Sequence, residues 1–168
     1  MESMYLPSQL EKYVSELYKS IGIIQPYDLD EKTIAEKLDI YVVYTKFRSF
    51  CELSDDCKLI FLNDSLKFDD LKRREVFFHE LGHLLRHCGD QTKLPASFRY
   101  LQESQAKRFT AFAAIPHHML TYIDFTQKRD FIIYEMQETF RITTQVCMER
   151  LDYIQNKILN KNTPKIYA

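Results

Sequence analysis

The stretch His79-Glu80-Leu81-Gly82-His83 constrains this chain more than any other. Histidines four apart lie about one turn from each other on one face of a helix, so two imidazoles can converge on a single tetrahedral metal. The flanking sequence supplies that helix. From about Asp70 to His87 apolar positions recur at helical period, and Gly89 provides a stop. Phe77, Leu81, Leu84, Leu85 and Cys88 fall on the side opposite the histidines, so one face packs into a core while the other looks onto a cleft. Glu80 is turned to one side of the pair, where its carboxylate can act as general base towards water activated by the metal. The same pattern also arises by chance on solvated helix faces, so a further ligand is needed to give it meaning.

Glu103 is the candidate. A second helix is predicted from Phe98 to Ala114, capped by Ser97 and closed by Pro116. On it Glu103 shares a face with Ala106, Thr110 and Ala114, with Ala113 at the edge. Small side chains let two helices approach closely, which is what bringing Glu103 to a metal held by His79 and His83 requires. The alternative is an exposed glutamate on a surface helix. Two imidazoles and a carboxylate are a ligand set for Zn2+ that leaves the fourth position open for hydrolysis.

The remaining chain frames these two helices. Ser8 with Glu11 forms a capping box for an amphipathic helix over residues 8–20, with Leu10, Val14, Leu17 and Tyr18 as its stripe and Gly22 as its end. A short helix follows Asp28. Ile40–Tyr44 and Lys58–Leu62 read as strands, and the segment Arg48–Cys57 is expected to supply the middle one. After Pro116 the chain is helical to about Leu159, with a break near Thr139–Thr143. The expected class is α+β: a small antiparallel or mixed sheet packed with helices, a gluzincin-like HExxH helix, and a C-terminal helical pair. One domain is expected over residues 1–168, with 1–120 as the catalytic core and 121–161 as a C-terminal helical subregion; no repeat or linker divides it.

Composition excludes several classes. With 45% hydrophobic and 14% aromatic residues over 168 positions there is material for a real core. Twenty-three basic and twenty-four acidic side chains give a net charge of -1, so no overall field draws the chain to nucleic acid or an anionic membrane. The first twenty residues mix charges with apolar positions and resemble neither a signal peptide nor an anchor. Cys51, Cys57, Cys88 and Cys147 form no CxxC pair, which fits reduced thiols in a cytosol rather than a disulfide framework. A soluble, cytoplasmic protein is expected.

HELGHLLRH followed by ESQAKRFTAFAAIP resembles the ImmA/IrrE family of bacterial and phage metallopeptidases, in which an HExxH helix precedes a helix reading approximately ExxANxFAxxLLMP. By that resemblance His79, His83 and Glu103 carry over as zinc ligands and Glu80 as the catalytic glutamate; Ala106, Phe109 and Pro116 match as well. Lys107 departs from the pattern, standing where the family usually has Asn. The resemblance further implies a zinc endopeptidase acting on a helix-turn-helix repressor of a phage or mobile element. A catalytically silent anti-repressor that only sequesters the repressor would keep the same binding surface, but would have no need of Glu80.

His87 lies a further turn, roughly 6 Å, along the helix from His83, too far to share the metal; it is better placed as a hydrogen-bond donor behind the ligands or to the transition state. Tyr100 is a candidate for the same oxyanion role. His117 and His118 read as surface histidines able to reach the cleft only from their loop. Phe140–Leu151 resembles the turn and second helix of a helix-turn-helix, yet acids (Asp130, Glu135, Glu138, Glu149, Asp152) interrupt the bases (Lys128, Arg129, Arg141, Arg150, Lys157), so DNA contact is not expected. A helical pair that packs under the catalytic core or docks the substrate protein is the preferred use. Oligomeric state is not legible.

Overall fold

The computed structural model describes residues 5–54, 57–86 and 95–162. Helix α1 (Gln9–Ser20) opens with the expected box: Ser8 Oγ accepts from the Glu11 N–H at 3.3 Å while Glu11 Oε2 accepts from the Ser8 N–H at 2.7 Å. It ends before Gly22, whose φ of 77° suits a residue without Cβ. A 3-10 turn at Pro26–Asp28 follows, and the short helix α2 (Glu31–Lys37) is capped by Asp30, which accepts from the Thr33 N–H at 2.8 Å.

Strands β1 (Ile40–Thr45), β2 (Phe50–Leu53) and β3 (Lys58–Asn63) form a mixed sheet in the order β1-β3-β2. β1 runs parallel to β3, pairing Val42 with Ile60; β2 runs antiparallel to it, pairing Cys51 with Ile60. The segment expected in the middle is therefore a strand, but at the edge. β3 takes the centre because its Ile60 and Leu62 are fully apolar and buried, whereas β2 carries Glu52 and presents only partly covered or exposed side chains.

Helix α3 (Asp70–Arg86) packs against β3 and β2 with Phe77, Phe78 and Leu81 fully buried and Leu84 nearly so. The apolar face is wider than the sequence pattern suggested, because Phe78 belongs to it. His87, Cys88 and the Gly89 stop lie outside the described residues. Helix α4 (Ala96–Ala114) starts earlier than expected: Pro95 occupies the N-cap, its carbonyl accepting from the N–H groups of Phe98 and Arg99, and Ser97 sits within the first turn instead of capping it. Proline suits that position since its fixed φ points into a helix and no N–H is needed there. At the other end Pro116 drives Ile115 out of helical geometry (φ -131°, ψ 79°).

A 3-10 turn (His117–Tyr122) leads to helix α5 (Arg129–Phe140), a left-handed Arg141 (φ 50°), and helix α6 (Thr144–Asn162). The break falls where the sequence placed it. α6 packs on α4 and α5, and α1 packs on α4. The class is α+β, mostly helical with a small mixed sheet. Cys51, Cys57 and Cys147 are free. Among the described residues no helix is long and apolar enough to cross a membrane.

Candidate metal centre

α3 and α4 meet at a glycine. A Cβ built on Gly82 would stand 2.9 Å from Phe109 Cδ1 and 3.2 Å from its Cβ and Cγ, so the ring of Phe109 lies directly on the α3 backbone. Phe109 is fully buried, as are Ala106, Ala113 and Ala114 along α4. The small-residue face anticipated on α4 is thus completed by a missing side chain on α3, a contact that single-helix periodicity could not reveal.

That approach carries Glu103 to the histidine pair. His79 Nε2 and His83 Nε2 are 3.1 Å apart; Glu103 Oε2 is 3.2 Å from the former and Oε1 is 3.3 Å from the latter. Ligands about 2.0–2.1 Å from a zinc at tetrahedral angles are separated by roughly 3.3 Å, so the three groups already stand at the edges such an ion needs. The fit is chemical as well, with two borderline imidazole nitrogens and one carboxylate oxygen able to hold zinc. Exposure is graded across the set: the His83 side chain is 4% exposed, His79 29% and Glu103 56%, so the centre is rooted in the core and opens on the Glu103 side.

Glu80 is buried beside this cluster. Burial, reinforced by the charge of Glu103 and only partly opposed by Arg48, raises its carboxyl to about 7. In the metal-free chain the group therefore exchanges its proton near neutrality, where a general base is useful. Across from it on β2, burial and then the Glu80 charge push the Cys51 thiol up to about 12. Arg48 and Cys51 thus belong to the surroundings of Glu80, which sequence spacing could not show because Cys51 arrives from β2 and Arg48 from the connection before it.

The remaining candidates are sorted by position. Tyr100, one turn before Glu103, is 79% exposed and makes no hydrogen bond to the cluster among the described residues. His117 and His118 are half-buried instead of superficial and lie elsewhere: His117 stacks on Tyr5 at 5.6 Å between ring centroids, and His118 Nε2 is 3.3 Å from the Ile23 carbonyl oxygen. Lys107 reaches α6, its Nζ 2.8 Å from Glu149 Oε1. Of the bases on the C-terminal helices, Arg150 is completely buried.

Residues 35–152 match the peptidase M78 family in its IrrE N-terminal-like domain, a span that contains the sheet, both ligand-bearing helices and most of the C-terminal pair. This chain belongs to the M78 family. Two similar proteins come from Bacillus subtilis (strain 168). The phage-like element PBSX protein XkdA is 33% identical over 150 residues, covering 89% of this chain and 75% of that protein. The uncharacterized protein YqaB is 30% identical over 154 residues, covering 92% and 88% respectively. M78 membership suggests a metallopeptidase, and the His79, His83 and Glu103 cluster could hold a metal ion.

Proposed function

We propose that the chain is a zinc-dependent endopeptidase that cleaves a regulatory protein, a helix-turn-helix repressor of a phage or mobile element. One observation carries the hydrolase reading: His79, His83 and Glu103, from two helices, bring three ligand atoms together within 4.8 Å, with an intact Glu80 buried beside them. His79, His83 and Glu103 would hold the metal. A zinc ion there supplies a Lewis acid that polarises the scissile carbonyl and acidifies water. Glu80, in its carboxylate form, takes the proton from the attacking water and returns it to the departing amine. Its buried position keeps that carboxylate poorly solvated and therefore basic, and the closed His83 side keeps bulk water from the back of the centre.

Residues 1–120 form the catalytic core in this reading, and residues 121–161 a helical subregion of the same domain. The regulatory substrate is supported by kinship with a protein of a phage-like element. The test is co-expression with the helix-turn-helix repressor of the same genetic element, followed by repressor length on a gel. Shortening of the repressor, abolished when the purified protein is stripped of metal by a chelator and restored by zinc, is expected. Relief of repression with a full-length repressor would replace cleavage by sequestration.

A further inference from the structure

Away from the metal centre, a cavity of about 440 Å³ lies where the 3-10 turn at Pro26–Asp28 and the cap of α2 meet α3 and the C-terminal end of α5. None of the residues lining it belongs to the metal centre. Arg74, its contribution from α3, stands five residues before His79, roughly 7.5 Å along the helix axis. The volume is that of a small-molecule site, and the lining has the matching mixture: apolar and aromatic walls from Leu29, Phe140, Tyr27 and Tyr122, with a few convergent polar groups.

Arg74 decides the chemistry. It is only 7% exposed, yet its guanidinium is incompletely satisfied. Nη2 donates to the Phe140 carbonyl at 3.2 Å, Nη1 reaches Glu31 Oε2 at 3.4 Å, and Nε has no hydrogen-bond partner among the described residues. Glu31 is itself shared, since its Oε1 accepts from Arg73 Nε at 3.3 Å. A buried cation compensated by part of one carboxylate is costly. Burial lowers the Arg74 pKa, Glu31 opposes that, and the like charge of Arg141 adds to it. Arg141, held left-handed at the end of α5, lines the same cavity; its partner Asp70 is 4.0 Å away and already receives Arg73 Nη1 at 2.6 Å. Asp30 is the acid of the lining, but its Oδ2 caps α2, accepting from both the N–H and the hydroxyl of Thr33 at 2.8 Å. Two cations thus face one partly engaged carboxylate, so an entering anion relieves the site and an entering cation does not.

We propose that this cavity binds a small organic anion, its carboxylate or phosphate group held by Arg74 and Arg141 and a flat apolar body laid against Tyr27 and Tyr122. Both tyrosine rings are exposed at the mouth, and the Tyr27 hydroxyl is tied by the Gln25 amide, which leaves the ring faces for the ligand. The site is separate from the metal centre and holds whether or not that centre hydrolyses peptides.

Four probes test it by amide NMR titration of the full-length protein. Phenyl phosphate and benzoate carry the two anionic groups on the same ring, inorganic phosphate lacks the body, and benzylamine reverses the charge. One or both aromatic anions should bind at least tenfold more tightly than inorganic phosphate and benzylamine, and the tighter of the two identifies the anionic group. Affinity should be the same with zinc loaded or removed, which separates this site from ligation at His79 and His83. Arg141→Asn, which keeps a residue tolerant of the left-handed backbone, should weaken binding about threefold or more. Asp30→Asn, which keeps the cap of α2, should tighten it about twofold or more. Arg74→Met should abolish binding; a thermal melt shows whether that variant is folded, and if it is not, the other two decide. Failure of both aromatic anions to bind at millimolar concentration, benzylamine binding as well as they do, inorganic phosphate matching phenyl phosphate, binding that disappears with the zinc, or unchanged affinity in Arg141→Asn and Asp30→Asn overturns the proposal.

Discussion

His83 is almost sealed from solvent while Glu103 is more than half exposed, so the two ends of the ligand set respond differently to substitution. Glu103→Ala removes an exposed carboxylate and is expected to leave stability within about 0.5 kcal/mol of wild type in the metal-free state, while zinc content falls from about one per chain to less than a tenth. Elemental analysis of the dialysed variant, with a thermal melt beside it, checks both halves. His83→Ala should lose zinc too and, because its imidazole is packed in, also lose stability. The residues of this centre were legible in sequence because their geometry is local: four residues along one helix fix where His79 and His83 point. Glu103 was legible from the small residues around it. Arg48 and Cys51 were not, since Cys51 reaches Glu80 only through the pairing of β2 with β3, and Arg48 only through the connection that leads into β2.

Between elements the decisive residue is Gly82, whose missing side chain seats Phe109. Gly82→Ala would place a methyl 2.9 Å from a buried ring that has nowhere to go. Overpacking of this kind costs about 1–3 kcal/mol; because it separates α3 from α4, it should also weaken zinc binding by more than the stability loss explains. Zinc titration of Gly82→Ala and of the double variant Gly82→Ala/Phe109→Leu provides the check, with partial recovery of affinity expected in the double variant. In sequence Gly82 is only one of the two unspecified positions of the motif. The same limit explains Ser97 and β2. Cap preference favoured Ser97, but Pro95 starts the helix a little earlier; alternation identified a strand near Cys51, while its place in the sheet depends on which of the three strands is buried on the core side.

At the scale of the molecule, the N-terminal helix is joined to the C-terminal one through a buried pair. Arg150 Nη1 meets Glu11 Oε1 at 2.7 Å with both side chains fully covered, Arg150 Nε donates to the Ile115 carbonyl at 3.1 Å, and the Tyr5 hydroxyl donates to Glu11. Glu11 was legible as a cap and Arg150 only as one of the bases that acids interrupt on the C-terminal helices; their meeting across the chain was not, because no local pattern encodes it. Glu11→Ala, which leaves the guanidinium buried and uncompensated, is expected to cost about 3–5 kcal/mol in urea unfolding. Burial tends to raise the Glu11 carboxyl, but Arg150 and the Ser8 N–H outweigh it and hold it below the ordinary carboxylate range. A lowered folded value means the pair stabilises fully above the unfolded pKa and is lost as pH falls through the folded one. Unfolding free energy should therefore decline on acidification below that range, and less steeply in Glu11→Gln. The site itself is tested most directly by Glu80→Gln, assayed for zinc content and for cleavage of the repressor in the same preparation. Full zinc occupancy with cleavage reduced about 10²- to 10⁴-fold is the predicted result; cleavage at the wild-type rate would contradict the assignment of Glu80 and with it the zinc-hydrolase account.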